Sequence, residues 1–220
     1  MIFCKINIWY NSLRDTQIYS YVICVLLCKL RTEKWNVKFY QREDTIMDAN
    51  MKKRNELLAK TVIKGLESRN MSGYYAQDKE AALKQALELI PNGSTIAMGG
   101  CMSAHEIGLV KALQDGDYNY IDRAKLEPRE GLMAAYDADF FLSSANAVTD
   151  DGVLVNIDGN SNRVSCIAQG PKKVIFIVGI NKVCPDLDSA MKRARNVAAT
   201  ANAQRFDIKT PCKETGKCFD

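Results

Sequence analysis

The stretch Asn146-Ala-Val-Thr-Asp-Asp-Gly-Val-Leu-Val-Asn-Ile-Asp-Gly-Asn-Ser-Asn-Arg-Val164 alternates short apolar runs with Asn and Asp side chains. Shortly after it comes the run Val174-Ile-Phe-Ile-Val178, which is typical of a buried strand. The segments Asp150-Asp-Gly152 and Asp158-Gly-Asn160 predict turns, because Asp and Asn hydrogen-bond to their own backbone and Gly accepts positive φ. Polar side chains at turns between strands indicate a binding site at the rim of a sheet.

Helix and strand patterns alternate along the rest of the chain. The predicted helices cover residues 49–69, 79–90, about 103–113, 127–136 and 187–203. The predicted strands cover residues 74–76, 94–98, 118–121, 139–143, 147–149, 153–157 and 174–178. Asp78 and Asp186 precede two of the helices as N-caps. This alternation predicts an α/β fold with a mostly parallel sheet flanked by helices.

Residues 1–46 differ in composition from the rest of the chain. They contain no Ala, Gly or Pro and carry seven Lys and Arg against four Asp and Glu, which gives +3. Residues 47–220 carry 23 basic against 22 acidic residues, which gives +1, so we expect no nucleic-acid partner. We interpret residues 1–46 as an atypical N-terminal extension and favour a start-site artefact, in which the chain begins at Met47 or Met51. The domain then covers residues 47–220.

The sequence predicts no association with membranes. The apolar run Tyr21–Cys28 is well short of the roughly 20 residues that span a bilayer, and the segment lacks the pattern of a signal peptide. The eight cysteines are scattered without a paired framework. We therefore expect reduced thiols and a cytoplasmic protein.

The first candidate site lies where Gly99-Gly100 joins a strand to a helix. Free backbone N–H groups at such a junction favour a carboxylate or a phosphate. Ser103 and Glu106 have the spacing of a capping box, so the alternative is a well-capped helix start without a ligand. His105 and Cys101 could form a base and a nucleophile, but we favour a surface position for this single histidine.

The second candidate site lies within residues 146–163, where several polar residues stand beside or within strands. Arg163, which we place at the start of a strand, is either an internal ion-pair partner or an anion clamp. The candidate ligand-binding residues are Gly99, Gly100, Ser103, Asn146, Thr149, Asn156 and Arg163, and the candidate general bases are Glu106, Asp150 and Asp158. We predict no metal site and no particular cofactor, because a single histidine argues against a His-rich centre and Cys212 with Cys218 make only half of a tetrahedral site.

Taken together, these segments resemble the LUD-domain family, which includes lactate-utilisation subunits, over about residues 50–220. The residues that carry the resemblance are Gly99-Gly100, Ser103, Glu106-Ile-Gly108, Ala138-Asp139, Asn146–Gly159, Asn162–Val164, Gly170–Val174, Val178–Lys182 and Pro185–Asp188. The resemblance implies a fold similar to the sugar-phosphate isomerase and CoA-transferase superfamily. The chain is similar to the small, cluster-free type of subunit, since it lacks the Cys-x-x-Cys-x-x-Cys runs of ferredoxin-like clusters.

The resemblance also implies a role in the oxidation of L-lactate to pyruvate with iron–sulfur partner subunits, and the binding of a small carboxylate or phosphorylated ligand. Two alternatives stay open. One is a stand-alone isomerase- or transferase-like enzyme on the same fold, and the other is a non-catalytic assembly protein of an iron–sulfur oxidoreductase complex. Self-association as a homo-oligomer is open as well.

Overall fold

The computed structural model describes residues 2–7 and 49–219, with side chains for the second range. The strands are β1 (Ile2–Asn7), β2 (Ser72–Tyr75), β3 (Thr95–Met98), β4 (Asn119–Ile121), β5 (Phe140–Ser143), β6 (Ala147–Thr149), β7 (Leu154–Val155), β8 (Lys173–Val178) and β9 (Val183–Cys184). The α-helices are α1 (Ala49–Ser68), α2 (Lys79–Glu88), α3 (Met102–Glu106), α4 (Leu109–Asp115), α5 (Pro128–Tyr136), α6 (Val164–Ala168), α7 (Leu187–Arg193), α8 (Thr200–Ala203) and α9 (Pro211–Thr215). Most of the predicted extension lies outside the described residues, and its separation from the domain at Met47 stays a prediction.

The main sheet has the strand order β2-β1-β8-β5-β3-β4. Strands β4, β3, β5 and β8 run parallel, with Ala97 opposite Phe141 and Phe141 opposite Val174. Strand β1 is antiparallel to both of its neighbours. The predicted α/β fold with a mostly parallel sheet flanked by helices is confirmed.

The core lies on both faces of this sheet. Successive side chains of a strand point to opposite faces, so β5 sends Phe140 and Leu142 to one core and Phe141 to the other. Helices α2 and α4 pack on the first face, and α1, α5 and α6 pack on the second. Strands covered on both faces must be apolar throughout, which explains the unbroken hydrophobic run of β8.

A second, three-stranded sheet of order β7-β6-β9 follows the carboxyl ends of the main strands. Strand β5 continues into β6 through residues 144–146, and β8 continues into β9 through residues 179–182. Strands β6 and β9 are parallel, as are β5 and β8. The two linkers therefore lie side by side where the sheets meet, at the carboxyl edge that open α/β sheets use for ligands.

Helix α1, which packs on the main sheet, also contacts the second sheet through a close approach of its backbone to the turn between β6 and β7. A Cβ atom added to Gly65 would lie 2.3 Å from the backbone carbon of Asp151, in the turn between β6 and β7. Arg69, just beyond the end of α1, donates from Nε to the Asp151 carbonyl at 2.9 Å and pairs with its carboxylate. Only glycine allows the helix to approach the turn this closely.

Three local predictions need correction. The predicted helix over 103–113 is two helices, because Gly108 has a φ of 77° and ends the first of them. Arg163 is the N-cap of the short helix α6 and does not begin a strand. The helix over 187–203 is continuous, but residues 194–199 form a π-helical segment within it.

Of the helices in the described part of the chain, none combines the length and the apolar character that crossing a bilayer requires.

Candidate anion site

Three cationic side chains converge on the linker Ser144–Asn146 between β5 and β6. Arg163 donates from Nη1 to the Ser144 carbonyl at 3.0 Å. Lys182 donates from Nζ to the Ser144 hydroxyl at 2.8 Å and to the Ala145 carbonyl at 3.1 Å. Arg193 donates from Nη1 to the Asn146 carbonyl. We call Arg163, Lys182 and Arg193 the cation cluster.

The acceptors in these hydrogen bonds are neutral, so they satisfy the donors without cancelling the charge. Within the described residues, neither Arg163 nor Lys182 forms a salt bridge, whereas six other lysines and Arg69 do. The internal ion pair considered for Arg163 is therefore not what holds its guanidinium. A partly buried positive charge that is not held in a salt bridge attracts an anion more strongly than an exposed one.

The elements that carry the cluster come from different parts of the chain. Arg163 stands at the start of α6, Lys182 ends the short 3-10 turn Ile180–Lys182 after β8, and Arg193 ends α7 where the π-helical segment begins. Each of the three side chains therefore reaches the linker from a different structural element. The cluster therefore depends on how the two sheets are joined.

Asp158 positions Arg163 through the backbone. Its Oδ2 accepts from the amides of Arg163 at 2.7 Å and Val164 at 3.0 Å, and its Oδ1 accepts from the Asn160 amide at 3.2 Å. Burial acts to raise the pKa of Asp158, but these amide hydrogen bonds outweigh it and leave the pKa below its ordinary value. The carboxylate is thus occupied by the backbone amides at the start of α6, which makes it a poor general base.

Gly99 brings the first candidate segment against the second. A Cβ atom added to Gly99 would lie 2.9 Å from Cγ of Arg163 and 2.9 Å from the Phe141 ring. The Arg163 side chain therefore lies along the Gly99 backbone on its way to Ser144. Gly100, the next residue, is exposed and has open space at its Cβ position, which leaves its backbone accessible to a ligand.

Lys182 lies in a charged and partly buried environment. Burial lowers the pKa of its amine, the Cys101 thiol raises it, Arg193 lowers it, Glu106 raises it and Arg163 lowers it, and the sum of these effects is a lowered pKa. A larger fraction of this amine is therefore neutral than of an exposed lysine at the same pH.

Cys101 stands beside the cluster as a neutral thiol. Burial raises its pKa to about 11, although Lys182 and Arg163 act in the opposite direction. His105 is exposed, and no hydrogen bond between described residues joins it to Cys101. A nucleophile and base pair made of these two residues is therefore not assembled.

Asn146 lies within the cluster. Its Oδ1 accepts from the Ile157 amide at 2.6 Å and from Nη2 of Arg163 at 3.3 Å, and Arg163 also donates to the Ile157 carbonyl at 2.9 Å. The Asn146 amide oxygen is thus engaged in holding the guanidinium. Its amide NH₂ group has no partner among the hydrogen bonds of the described residues.

Two further candidates, Thr149 and Asp150, belong to the turn between β6 and β7. The Thr149 hydroxyl accepts from the Val153 amide at 2.8 Å and bonds the Asp151 carboxylate. Asp150 donates its amide to the Cys184 carbonyl at 2.9 Å. Thr149 is buried and serves the turn, whereas the Asp150 carboxylate forms no hydrogen bond or salt bridge with a described residue.

The remaining candidates occupy different environments. The Asn156 Oδ1 is buried and lacks a hydrogen-bond partner among the described residues. Ser103 is buried within α3 and does not cap it, since the N-cap is Cys101 and no side-chain cap bond forms. Glu106 is exposed, yet lies close enough to raise the pKa of both Cys101 and Lys182. The capping-box alternative for α3 is therefore wrong.

Three residues of the site were not predicted from the sequence: Ser144, Lys182 and Arg193. Lys182 carried a usable signal, since it ends the segment Val178–Lys182, which begins at the end of a predicted strand and carries part of the family resemblance. Arg193 carried none, because a basic residue in the last turn of a helix is ordinary.

A metal centre is not evident in the described residues, since they contain no group of three or more His, Cys, Asp or Glu side chains placed to hold an ion. Cys212 and Cys218 are free, half-buried thiols. A surface depression of about 670 Å³ lies elsewhere, beside the start of α1. Its carboxylate, Glu56, pairs with Lys60 at 2.7 Å and with Lys53 at 3.5 Å.

Comparison with known proteins identifies the family of this chain. The model of the family described as LUD domain matches residues 59–218, which include every member of the cation cluster. No curated protein and no solved structure matched the chain. Because the match covers well over half of its length, the chain belongs to the LUD domain family.

Proposed function

We propose that this protein binds a small carboxylate or phosphorylated ligand at the cation cluster, and that it takes part in the oxidation of L-lactate to pyruvate with iron–sulfur partner subunits. The observation that carries the proposal is the convergence of Arg163 and Lys182 on the neutral acceptors of Ser144 and Ala145. Membership of the LUD domain family points to lactate utilisation in general and supports the metabolic context.

The ligand anion would sit between the cluster and Gly100. Guanidinium and ammonium donors hold a carboxylate with charge-assisted hydrogen bonds, which are roughly twice as strong as neutral ones. Helix α3 contributes little to this attraction, because it has only five residues and its dipole is correspondingly small. The side chains, and not the helix start, therefore supply the positive charge.

The general base is proposed to be Glu106. Of the three predicted bases, Asp158 is occupied by backbone amides, while Glu106 and Asp150 keep carboxylates without hydrogen bonds to described residues. Glu106 is favoured because its charge acts on both Lys182 and Cys101. The oxidation of L-lactate to pyruvate releases two protons and two electrons. The base takes the proton of the C2 hydroxyl, the C2 hydrogen leaves as the second proton and passes to solvent, and the two electrons pass to the iron–sulfur partner subunit, which is the oxidant.

A titration of the full chain tests the ligand. Tm is measured with L-lactate, pyruvate and inorganic phosphate in separate series. A ligand at 100 times its Kd adds about 2.7 kcal/mol to the free energy of unfolding. We expect a shift with at least one of these anions, and its loss in Arg163→Gln. Lys172→Gln is the matched control, because Lys172 pairs with Asp139 at the opposite edge of the sheet. No shift with any of the three contradicts the proposal.

The partner role requires a separate assay. We expect lactate-dependent reduction of an artificial electron acceptor only when the chain is mixed with a purified iron–sulfur subunit. Turnover of a substrate by the isolated chain would favour the stand-alone enzyme instead. We also place the protein in the cytoplasm as part of the proposal, because Cys101, Cys166, Cys212 and Cys218 are free thiols, as is usual in reducing compartments.

A further inference from the structure

The Lys182 amine is bonded unlike the lysines that pair with carboxylates. Six described lysines form salt bridges, namely Lys53, Lys60, Lys84, Lys125, Lys172 and Lys192. Lys182 instead holds its Nζ between the Ser144 hydroxyl at 2.8 Å and the Ala145 carbonyl at 3.1 Å. Its position is thus set by two neutral groups at the carboxyl edge of the sheet.

The surroundings of this amine favour its neutral form. Arg163 binds the carbonyl of the same Ser144, so a guanidinium stands next to the amine. Burial has the largest effect on this amine and lowers its pKa. The charged and titratable groups that also act on it are Cys101, Arg193, Glu106 and Arg163, and the net result is a lowered pKa. A neutral, oriented lysine amine is the nucleophile that attacks carbonyl carbons.

The neighbouring guanidinium provides a way to orient such a carbonyl compound. A carboxylate held by Arg163 would bring the adjacent carbon atom of its own molecule toward Nζ of Lys182, since both side chains bind Ser144. Compounds with a carbonyl carbon next to a carboxylate are 2-oxo acids. The arrangement therefore selects both the reactive group and the anchor.

We infer that the side-chain amine of Lys182 forms an imine with the carbonyl carbon of a 2-oxo acid whose carboxylate binds Arg163. The nitrogen forms a bond to C2, the carbonyl oxygen leaves as water with the two amine hydrogens, and a carbon–nitrogen double bond results. The Ser144 hydroxyl can pass the proton, since it is hydrogen-bonded to the amine. No oxidant or reductant is needed. The inference rests on the anion site proposed above.

The experiment traps the imine with a hydride donor. The full chain is incubated with pyruvate and sodium cyanoborohydride, and peptides are mapped by mass spectrometry. The expected product is a secondary amine on Lys182 that carries the carbon skeleton of pyruvate. The adduct is lost in Lys182→Arg, which keeps the charge but cannot form the imine. It persists in the matched variant Lys172→Arg, and L-lactate, which has a hydroxyl in place of the C2 ketone, produces none.

Binding of pyruvate is measured on the same samples from the shift in melting temperature, so that two failures can be told apart. A shift with pyruvate but no adduct on Lys182 overturns the imine and leaves the proposed anion site intact. If pyruvate produces neither a shift in melting temperature nor an adduct, both the anion site and the imine are contradicted. Equal labelling of Lys182 and of exposed lysines such as Lys172 also overturns the inference, because the reaction would then not depend on the environment of Lys182.

Discussion

Replacing Gly65 by alanine tests how the two sheets are joined. In a free helix, this change would stabilise the protein by about 1 kcal/mol, because alanine has the higher helix propensity. Here the added Cβ would lie 2.3 Å from the backbone carbon and 2.6 Å from the backbone oxygen of Asp151. Both partners are backbone, so no side chain can rotate away, and overpacking of this kind costs about 3 kcal/mol. We expect a net loss of about 2 kcal/mol.

Thermal unfolding followed by circular dichroism measures the effect. A loss of about 2 kcal/mol corresponds to a decrease in Tm of roughly 4–8 °C for a domain of this size. Gly131→Ala is the matched control, since Gly131 also lies inside a helix, but its added Cβ would meet its nearest atom at 3.5 Å. We expect that variant to keep or raise Tm. If Gly65→Ala behaves like Gly131→Ala, α1 does not rest on the turn as described.

Three further outcomes are expected. Asp158→Ala should lower the free energy of unfolding by about 0.5–2 kcal/mol, because the amides of Arg163 and Val164 lose their acceptor, and an unchanged denaturant midpoint would contradict a stabilising role of these hydrogen bonds. Hydrogen bonding to Lys172 lowers the pKa of Asp139 in the folded protein, so its stabilising effect is present above the unfolded pKa of about 3.9 and is lost as pH falls through the folded value. Asp139→Asn should therefore flatten the acid limb of the stability curve, and an unaltered limb would exclude this linkage. Cys101, whose burial raises its pKa to about 11, should react with iodoacetamide more slowly than half-buried Cys212 in the folded protein, as peptide mapping over time would show; equal rates would refute its burial.

The family and the fold class were readable in the sequence because the signals are local. Helix α1 was predicted from the spacing of its apolar residues, and β8 from an unbroken apolar run, since burial on one or both faces leaves a period within a few residues. The Asp78 cap was found for the same reason, because it bonds the Ala81 amide only three residues away. The break at Gly108 was missed because a glycine within a helical pattern does not by itself end a helix.

Only part of the proposed anion site could be predicted from the sequence. Asn146, Gly99 and Arg163 were singled out as polar or glycine positions near strand ends, and the fold brings them together. Lys182 and Arg193 reach the linker from 38 and 47 residues away, and no pattern within a segment reports contacts over such separations. Likewise, Asp158 looked like a possible base until the fold turned its carboxylate toward the amides of α6. The local periodicity of apolar residues thus determines the helices and strands. The charge of the site depends instead on which distant side chains are brought to the linker Ser144–Asn146 when the two sheets pack together.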